Sequence, residues 1–399
     1  MQIDRTKLYR FPWSKTDNPG GWVEVTDECN MVCPGCYRST LSGHRPLEEV
    51  RQDILDTRRL TNCDCMTIAG GEPLTYPHLT EVVKFISDLK LKPVLFTNGE
   101  GLDPGRLAEL KKAGLVNIHF HIDRLQERTG WTGKSESEIN ALREYYADML
   151  YDTGGIQCGY HVTIYRSNLD EIPEIVGWAL KNIHKVQHIS FIAYRAIPGD
   201  KNLQFYANGK KVETSELSLL EADNYQITIS TEEMYSKMNE AYPELMPATY
   251  LNGTSDYESN KFLITVNIGS RRKRYGIMGA KTMEVAQVFY HLFHGRYFVF
   301  LKSPKAGRKL FVMSLFDRDI RKAARNYLAV CIRNPLHLFQ GIYVQSIHFQ
   351  QPNEVINGEI NLCDDCVNMM AYKGKLINPC RLDEYRKYGD ALHIVKADA

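Results

Sequence analysis

The chain has 399 residues, of which 43% are hydrophobic and 24% are charged. This length suggests one large domain with an additional segment, and the composition is typical of a globular protein rather than a disordered one. The formal net charge of +1 gives no reason to expect a nucleic-acid partner, and there is no run of 18 apolar residues that would predict a transmembrane segment. The polar and aromatic residues 1–20 do not have the pattern of a secretory signal, so we expect a cytoplasmic protein.

Residues 21–200 alternate between strand-like and helix-like patterns. Short β-branched or aromatic runs end in Gly, Asn, Asp or Pro, and the segments between them carry apolar residues three and four positions apart. Six such alternations predict an α/β fold with a parallel sheet and right-handed crossovers, either a partial barrel or an open doubly wound sheet. The predicted strands lie within 22–30, 65–74, 92–101, 115–123, 156–165 and 186–199.

Polar residues gather where the predicted strands end. In parallel α/β folds the functional site lies at the carboxyl ends of the strands, so these residues should converge on one edge of the sheet. Turn residues after strands would explain any one of these groups, but they explain the whole set poorly. The groups are CNMVCPGCYR (29–38), GGEP (70–73), TNG (97–99), HID (121–123), YRSN (165–168) and YRAIPG (194–199).

Six of the ten cysteines form two groups, one near each end of the chain. Without a secretory signal, clustered thiols indicate metal ligands before disulfides. The first group has the spacing Cys29-x3-Cys33-x2-Cys36. Three thiolates leave one corner of a [4Fe–4S] cluster open to a substrate or cofactor, whereas zinc would need a fourth ligand, for which His44 is the candidate.

The cysteine spacing after the first strand, together with GGEP, TNG and HID at the next strand ends, resembles the radical S-adenosylmethionine (radical SAM) superfamily over residues 20–200. The resemblance implies a partial (β/α)6 barrel of parallel strands. It also implies that Cys29, Cys33 and Cys36 ligate three irons of a [4Fe–4S] cluster, and that the fourth iron binds the amino and carboxylate groups of SAM.

The resemblance further implies which residues contact SAM. They lie at four strand ends and are Gly70, Gly71, Glu72, Pro73, Asn98, His121 and His161. The GGEP residues would contact the methionine ammonium group, and their glycines would let the backbone approach it closely. The amide and the two histidines would contact the ribose or the methionine carboxylate. Many members have an aromatic residue before the third cysteine, but this chain has Gly35, with Tyr37 after it, which leaves the adenine contact open.

The implied chemistry begins with one electron passed from the reduced cluster to SAM. SAM then breaks into methionine and a 5′-deoxyadenosyl radical, and this radical abstracts hydrogen from an organic substrate. A flavodoxin-like or ferredoxin-like protein would supply the electron. The cofactors carry this chemistry, and the protein positions them and excludes water.

The second group of cysteines has the spacing Cys363-x2-Cys366-x13-Cys380. On a chain with the radical SAM pattern it resembles the SPASM or twitch type of auxiliary-cluster domain. Residues 331–399 are therefore predicted to be a C-terminal iron–sulfur-binding extension with a second [4Fe–4S] cluster. Zinc or purely structural thiols are the alternatives. Cys331 is either a fourth ligand of this site or a core residue.

Residues 201–330 are predicted to be a basic, aromatic-rich region for substrate binding or packing. Between positions 271 and 309, ten Lys and Arg residues accompany a single acidic residue, Glu284. One interpretation is a solvated face over an aromatic core. A second is a site for an anionic or lipid-like substrate. The third is peripheral docking on an anionic membrane or on nucleic acid.

His119, His121 and Asp123 share one face of the fourth predicted strand, because side chains alternate along a strand. If the last two point into the barrel, so does His119. It either meets the substrate or is a core histidine with its hydrogen bonds satisfied.

Taken together, these patterns predict a radical SAM enzyme that acts on an organic substrate, anionic or lipid-like, in a reduced cytoplasm. A radical SAM maturase that modifies a peptide or protein is the first alternative, which the short segment 1–20 disfavours because it leaves little room for a peptide-recognition domain. A non-catalytic iron–sulfur or zinc-binding module is the second alternative, and the GGEP motif argues against it.

Overall fold

The computed structural model describes residues 3–34, 36, 38, 43–126, 128–194, 203–213, 229–300, 305, 307–356, 359–363 and 366–396. Gly35 and Tyr37, which bear on the adenine contact, lie outside these residues. The strands are β1 (Tyr9–Arg10), β2 (Gly20–Thr26), β3 (Cys65–Gly70), β4 (Lys92–Thr97), β5 (Asn117–His121), β6 (Gln157–Ile164), β7 (His188–Ala193), β8 (Leu203–Ala207), β9 (Lys210–Val212), β10 (Thr249–Asn252), β11 (Asn260–Gly269), β12 (Arg274–Ile277), β13 (Tyr343–Gln350), β14 (Glu354–Ile356), β15 (Glu359–Asn361), β16 (Asn368–Tyr372), β17 (Lys375–Ile377) and β18 (His393–Lys396). The helices are α1 (Leu47–Leu60), α2 (Leu79–Asp88), α3 (Pro104–Ala113), α4 (Glu136–Thr153), α5 (Ile172–Lys181), α6 (Thr231–Ala241), α7 (Ala280–His294), α8 (Gly307–Leu310), α9 (Arg318–Arg333) and α10 (Leu382–Tyr388).

Six parallel strands, β2 to β7, lie side by side in chain order. One helix, α1 to α5 in turn, connects each strand to the next. The sheet does not close on itself among the described residues. The predicted α/β fold with a partial (β/α)6 barrel is therefore confirmed, and all six carboxyl strand ends lie at one edge.

The strands of this core are buried on both faces, as the sequence pattern predicts for a parallel sheet. In β3, five of the six residues are buried, and only Gly70 is partly exposed. The helices begin and end at recognisable signals: Asp103 caps α3 by accepting from the backbone N–H of Arg106, and Gly114 ends it with a positive φ of 111°. Local sequence thus sets the helix limits, and apolar burial fixes the helices to the sheet.

Strands from the second half of the chain, together with the N-terminal β1, extend this sheet at both edges. At one edge, β13 pairs in parallel with β7, and β11, β10 and β1 follow it outward. At the other edge, β16 pairs in parallel with β2, and β17 follows it. The C-terminal segment therefore lies directly beside the strand that leads into the first cysteines.

Part of the basic, aromatic stretch packs against the amino ends of the core strands. The Tyr290 hydroxyl donates to Asp64, just before β3, at 2.8 Å. Lys92, the first residue of β4, forms an ion pair with Asp64 and donates to the backbone carbonyl of Phe300. Because the cysteines follow the carboxyl end of β2, residues 290–300 lie at the opposite edge of the sheet. In the part of the chain that the structure describes, no helix has the length and apolar character needed to cross a membrane.

Candidate active site

The first three cysteines lie on the connection between β2 and α1, termed here the cysteine loop (residues 27–46). Cys29 and Cys36 are exposed and Cys33 is half-buried. The backbone N–H of Cys36 donates to the carbonyl of Cys33 at 3.2 Å, and the Gln126 side chain approaches the Cys33 sulfur at 3.6 Å. Burial raises the pKa of the Cys33 thiol to about 12, so a metal that binds there must displace its proton.

The two glycines of GGEP pack against the backbone of the cysteine loop. Gly71 N–H donates to the carbonyl of Thr26, and Glu72 N–H donates to that of Glu28, both at 2.8 Å. A Cβ on Gly70 would lie 2.3 Å from the Thr26 oxygen, and one on Gly71 would lie 2.2 Å from the Glu28 oxygen. The sequence analysis attributed these glycines to approach of a ligand, but the structure shows that the loop backbone already requires them.

The Glu72 carboxylate is buried and organises the neighbouring strand end. It accepts hydrogen bonds from Leu74 N–H at 2.8 Å, Thr97 Oγ1 at 2.6 Å and Asn98 N–H at 2.6 Å. Burial raises the pKa of Glu72, against the opposing effect of these hydrogen bonds. Pro73 begins a short buried 3-10 turn directly after it. GGEP and TNG are therefore one connected unit.

Asn98 joins this unit to the cysteine loop. Its Nδ2 donates to the Asn30 side chain at 2.7 Å, and its backbone carbonyl accepts from Arg128 at 2.7 Å. The same Arg128 guanidinium donates to the carbonyl of His121 at 2.8 Å, so it bridges the ends of β4 and β5. Sequence analysis missed Arg128, because a single arginine after a strand carries no pattern that marks it.

His121 contacts two protein groups through one ring nitrogen, and its side chain is partly exposed. Its Nε2 lies 2.9 Å from Asp123 Oδ2 and 2.9 Å from Thr163 Oγ1, and its side chain is 39% exposed. Burial would raise the pKa of Asp123, but its hydrogen bond with His121 and the charge of that residue lower it. The Asp123–His121 pair thus leaves part of the imidazole ring exposed at the strand ends.

His161 lies next to His121 in register, but its ring contacts a different group. Its Nε2 lies 2.7 Å from Nδ1 of His119. Burial lowers the pKa of both histidines, to about 3 for His119. Contact of Asn98, His121 and His161 with SAM stays a prediction, and His161 is the residue of the three that also belongs to an interior histidine group.

His44 already has protein partners at both ring nitrogens. Nδ1 lies 2.9 Å from Thr26 Oγ1, and Nε2 lies 3.2 Å from Glu28. For it to complete a zinc site with the three cysteines, both contacts would have to break. This geometry disfavours the zinc interpretation of the cysteine loop.

The C-terminal helix contacts the first residue of the cysteine loop. Asp27 forms ion pairs with Arg38, which follows Cys36 in the loop, and with Arg386 of α10, the latter at 2.7 Å. Arg38 also pairs with Glu24 in β2, and burial lowers its pKa to about 9. Sequence analysis missed this link, because it joins residues more than 350 positions apart.

Two of the C-terminal cysteines, Cys363 and Cys366, lie within hydrogen-bonding reach of each other. This hydrogen bond lowers the pKa of Cys366 to about 7, and it is the largest of the effects that raise the pKa of Cys363, followed by burial. Lys261 lies near enough to Cys363 to favour its thiolate. Cys331 lies on the buried face of α9, packed in an apolar cluster, which is the core position that the sequence analysis considered.

Comparison with known proteins identifies the class of this domain. Residues 23–179 match the model of the Radical SAM superfamily, so this segment is a radical SAM domain, the domain found in radical SAM enzymes. The chain is 24% identical over 228 residues to Fe-coproporphyrin III synthase of Methanosarcina barkeri, which covers 55% of this chain and 53% of that protein. It is 27% identical over 172 residues to PqqA peptide cyclase of Methylobacterium nodulans, which covers 40% of this chain and 42% of that protein. The chain thus matches about half the length of these relatives.

Among solved structures, the chain is similar to SuiB of Streptococcus suis bound to its precursor peptide SuiA. The sequences are 14% identical, and the TM-score is 0.39. The match covers 57% of this chain and 46% of SuiB.

Proposed function

We propose that this protein is a radical SAM enzyme that cleaves SAM at a [4Fe–4S] cluster and abstracts hydrogen from an organic substrate. The observation that carries the proposal is the direct linkage of four sequence motifs at one edge of the sheet. The GGEP backbone holds the cysteine loop, Glu72 holds TNG, and Arg128 joins TNG to HID. Two exposed thiols and the half-buried Cys33 fit a cluster that keeps one open iron, and the nearby His44 is already held by Thr26 and Glu28.

When bound, such a cluster supplies one electron to the sulfonium of SAM, which yields methionine and a 5′-deoxyadenosyl radical. The electron would come from a flavodoxin-like or ferredoxin-like donor. In this chain the thiols of Cys29, Cys33 and Cys36 would hold the cluster, and the Glu72 unit would fix the backbone around the methionine group. His121, oriented by Asp123, would present its open ring to the ribose or carboxylate.

Electron paramagnetic resonance of the reduced, anaerobically reconstituted protein tests SAM binding at this cluster. We expect the signal of the reduced cluster to change when SAM is added. The change should disappear in a Cys29/Cys33/Cys36→Ala variant and persist in Cys63→Ala, which removes a buried cysteine outside both groups. A signal that is indifferent to SAM would contradict the proposal and favour a non-catalytic metal-binding module.

We further propose that Cys363, Cys366 and Cys380 hold a second [4Fe–4S] cluster. The contact between Cys363 and Cys366, the lowered pKa of Cys366 and the nearby positive charges of Lys261 and Arg381 support this. A variant with these three cysteines changed to alanine should lose about four irons per chain and keep the first cluster. Zinc in place of that iron in the reconstituted wild-type protein would instead support the zinc alternative.

For the substrate class, we propose a lipid-like or anionic molecule reached at a membrane surface. The support is the basic apolar segment (residues 305–340), which exposes eight large apolar side chains. They are Val312, Leu315, Phe316, Leu328, Ile332, Leu336, Leu338 and Phe339. In this segment eight Lys and Arg residues accompany two Asp residues, a balance suited to anionic lipid headgroups.

Contacts within the basic apolar segment hold its turns and helices together. Arg308 donates to the carbonyl of Leu338 at 2.7 Å, and Arg321 donates to that of Ser314 at 2.8 Å. Asp317 caps α9 through Ile320 N–H at 3.0 Å. Ile332 and Phe339 are 82% and 87% exposed, so they contribute apolar surface without serving the core.

Co-flotation with vesicles tests this surface. The protein should bind phosphatidylcholine vesicles that contain anionic lipid, and binding should fall with added salt. An Ile332→Glu/Phe339→Glu variant should bind at least about tenfold more weakly, because each change removes about 2 kcal/mol of apolar burial. Tyr257→Glu, at an exposed aromatic residue elsewhere, is the control. Equal binding by all three proteins, or a concentration-dependent dimer without vesicle binding, would overturn the membrane proposal.

A peptide substrate is the second candidate, because several relatives are named PqqA peptide cyclases. The two candidates differ in a simple observable. A lipid-like substrate predicts that lipid extracts stimulate formation of 5′-deoxyadenosine, and a peptide substrate predicts that protease treatment of a stimulating extract abolishes its effect.

A further inference from the structure

Three histidines from neighbouring strands converge inside the partial barrel. His119 of β5, His161 of β6 and His188 of β7 each offer a ring nitrogen, and these atoms all lie within 4.8 Å of one another. His119 and His188 are buried, and His161 is partly exposed. This group, termed here the histidine triad, contains none of the cysteines.

A glycine in the middle of a strand makes room for the triad. Gly159 of β6 is in register with His119 on one side and with His188 on the other. A Cβ on Gly159 would lie 3.1 Å from the His119 ring and 3.2 Å from the Cβ of His188. Glycine weakens a strand interior, so its position between two converging rings points to a space that must stay open.

The hydrogen bonds of the triad leave ligand capacity. His119 Nδ1 and His161 Nε2 share one hydrogen bond at 2.7 Å. His188 Nδ1 is fixed from outside by Ser346 Oγ at 2.9 Å. The Nε2 atom of His119 is buried and has no hydrogen-bond partner among the described residues. A fully satisfied histidine network would not leave this nitrogen unpaired.

The surroundings shield the triad. Phe96 stacks on the His119 ring with centroids 5.0 Å apart, and Phe300 meets it edge-on at 5.3 Å. His348 of β13 packs edge-on against His188 at 4.1 Å. Burial favours neutral imidazoles, which is the form that binds metals.

We propose that the histidine triad binds a divalent transition-metal ion, separate from both iron–sulfur sites. Imidazole suits zinc, iron(II), nickel and copper, and three protein ligands leave a coordination position for water or substrate. Two nitrogens on a tetrahedral zinc lie about 3.3 Å apart, given zinc–nitrogen bonds of about 2.0–2.1 Å, so small ring movements suffice. Ser346 orients His188 in the way that outer hydrogen bonds commonly orient metal-binding histidines.

The placement of the triad connects it with the SAM residues. His119 lies two residues before His121 on the same face of β5, a separation of about 7 Å along a strand. A metal in the triad would therefore lie one layer of side chains below the strand-end site, where it can hold or polarise an oxygen or nitrogen group of a substrate that enters from that edge.

Zinc binding to the full-length reconstituted protein tests the proposal, with His188→Gln as the variant, because His161 is also predicted to contact SAM. After exposure to zinc and removal of loose metal, we expect about one zinc per chain in wild type and almost none in His188→Gln. His184→Gln, at a buried histidine outside the triad, should keep the zinc. Iron and sulfide contents show whether each variant is folded.

X-ray absorption at the zinc edge gives a second and independent result. The triad predicts nitrogen neighbours at about 2.0–2.1 Å, whereas zinc on cysteines has sulfur neighbours at about 2.3 Å. A sulfur shell, absence of bound zinc, or unchanged zinc in a folded His188→Gln would overturn the proposal. If His188→Gln loses its iron, the wild-type absorption spectrum alone tests whether zinc binds to histidine nitrogens. In addition, Gly159→Ala should lower the affinity for zinc without removing any ligand.

Discussion

At the residue scale, Glu72 shows how a motif residue acts through its neighbours. Its buried carboxylate accepts three hydrogen bonds, two of them from TNG. Because three donors bind this buried carboxylate, its main effect is to fix the position of the backbone around it. The geometry of the site at the ends of β3 and β4 therefore depends on this side chain.

Glu72→Gln should destabilise the protein by about 1–3 kcal/mol and weaken SAM binding, because the new NH₂ group faces a donor it cannot pair with. Urea unfolding of the reconstituted protein and a SAM binding titration measure the two effects. Glu100→Gln, an exposed residue beside TNG, is the matched control and should change neither. A Glu72→Gln protein with unchanged unfolding midpoint would show that the three hydrogen bonds do not organise the site.

Gly70→Ala tests the close packing of GGEP on the cysteine loop. The new Cβ would meet the Thr26 carbonyl, so we expect a loss of about 1–3 kcal/mol beyond the cost of a positive φ, with reduced iron in the first cluster. Gly101→Ala shares the positive φ but has no atom within 4 Å of the added carbon, which makes it the control. Iron content and unfolding midpoints of both variants distinguish the steric contact from the backbone conformation. Equal losses would mean that backbone conformation alone explains the glycine.

The sequence was sufficient to predict which motif residues share the strand-end edge, because parallel strands fix where their carboxyl ends lie. It did not predict their partners. Arg128 and the contacts of His44 depend on side-chain directions in loops, which local pattern does not encode. The sequence predicted only part of the histidine triad. His119 was singled out, but its approach to His188 depends on strand register and on Gly159.

At the element scale, the cysteine loop is held by elements from both ends of the chain. GGEP fixes its start through two backbone hydrogen bonds, and α10 reaches Asp27 through Arg386. Because Asp27 also pairs with Arg38, one carboxylate joins the residues on either side of the three cysteines. The C-terminal segment thus helps to fix the start of the loop that carries the first three cysteines.

Arg386→Ala should loosen the cysteine loop. Loss of one partly buried ion pair is worth about 1 kcal/mol, which corresponds to about fivefold faster hydrogen exchange of backbone amides in residues 27–34. Exchange measured by mass spectrometry checks this, with Lys375→Ala at an exposed lysine of β17 as control. Exchange as slow as in wild type would show that α10 does not restrain the loop.

The elements before residue 200 were predictable, and those after it were not, for a physical reason. Strands β2 to β7 are short runs rich in β-branched or aromatic residues, separated by amphipathic helices, so each has its own local signal. In contrast, β13 pairs with β7 and β16 pairs with β2 across more than 150 intervening residues. Such long-range pairings follow from burial in the completed sheet and leave no mark in a short window.

At the scale of the whole molecule, one continuous sheet connects the proposed sites. The cysteine loop lies at the carboxyl edge of the parallel strands, the histidine triad lies within the barrel, and residues 290–300 cover the amino edge. The C-terminal cysteines flank β16, which pairs with β2. The proposed sites thus lie on or beside strands of the same sheet.

The central claim is that the first three cysteines hold the cluster at which SAM is cleaved. Its most direct test is the amount of iron, sulfide and 5′-deoxyadenosine obtained with dithionite and SAM from the reconstituted protein and its Cys29/Cys33/Cys36→Ala variant. The account predicts about eight irons in wild type and about four in the variant, with complete loss of 5′-deoxyadenosine. Wild-type protein that holds iron but forms no 5′-deoxyadenosine, or a variant that still forms it, would contradict the account.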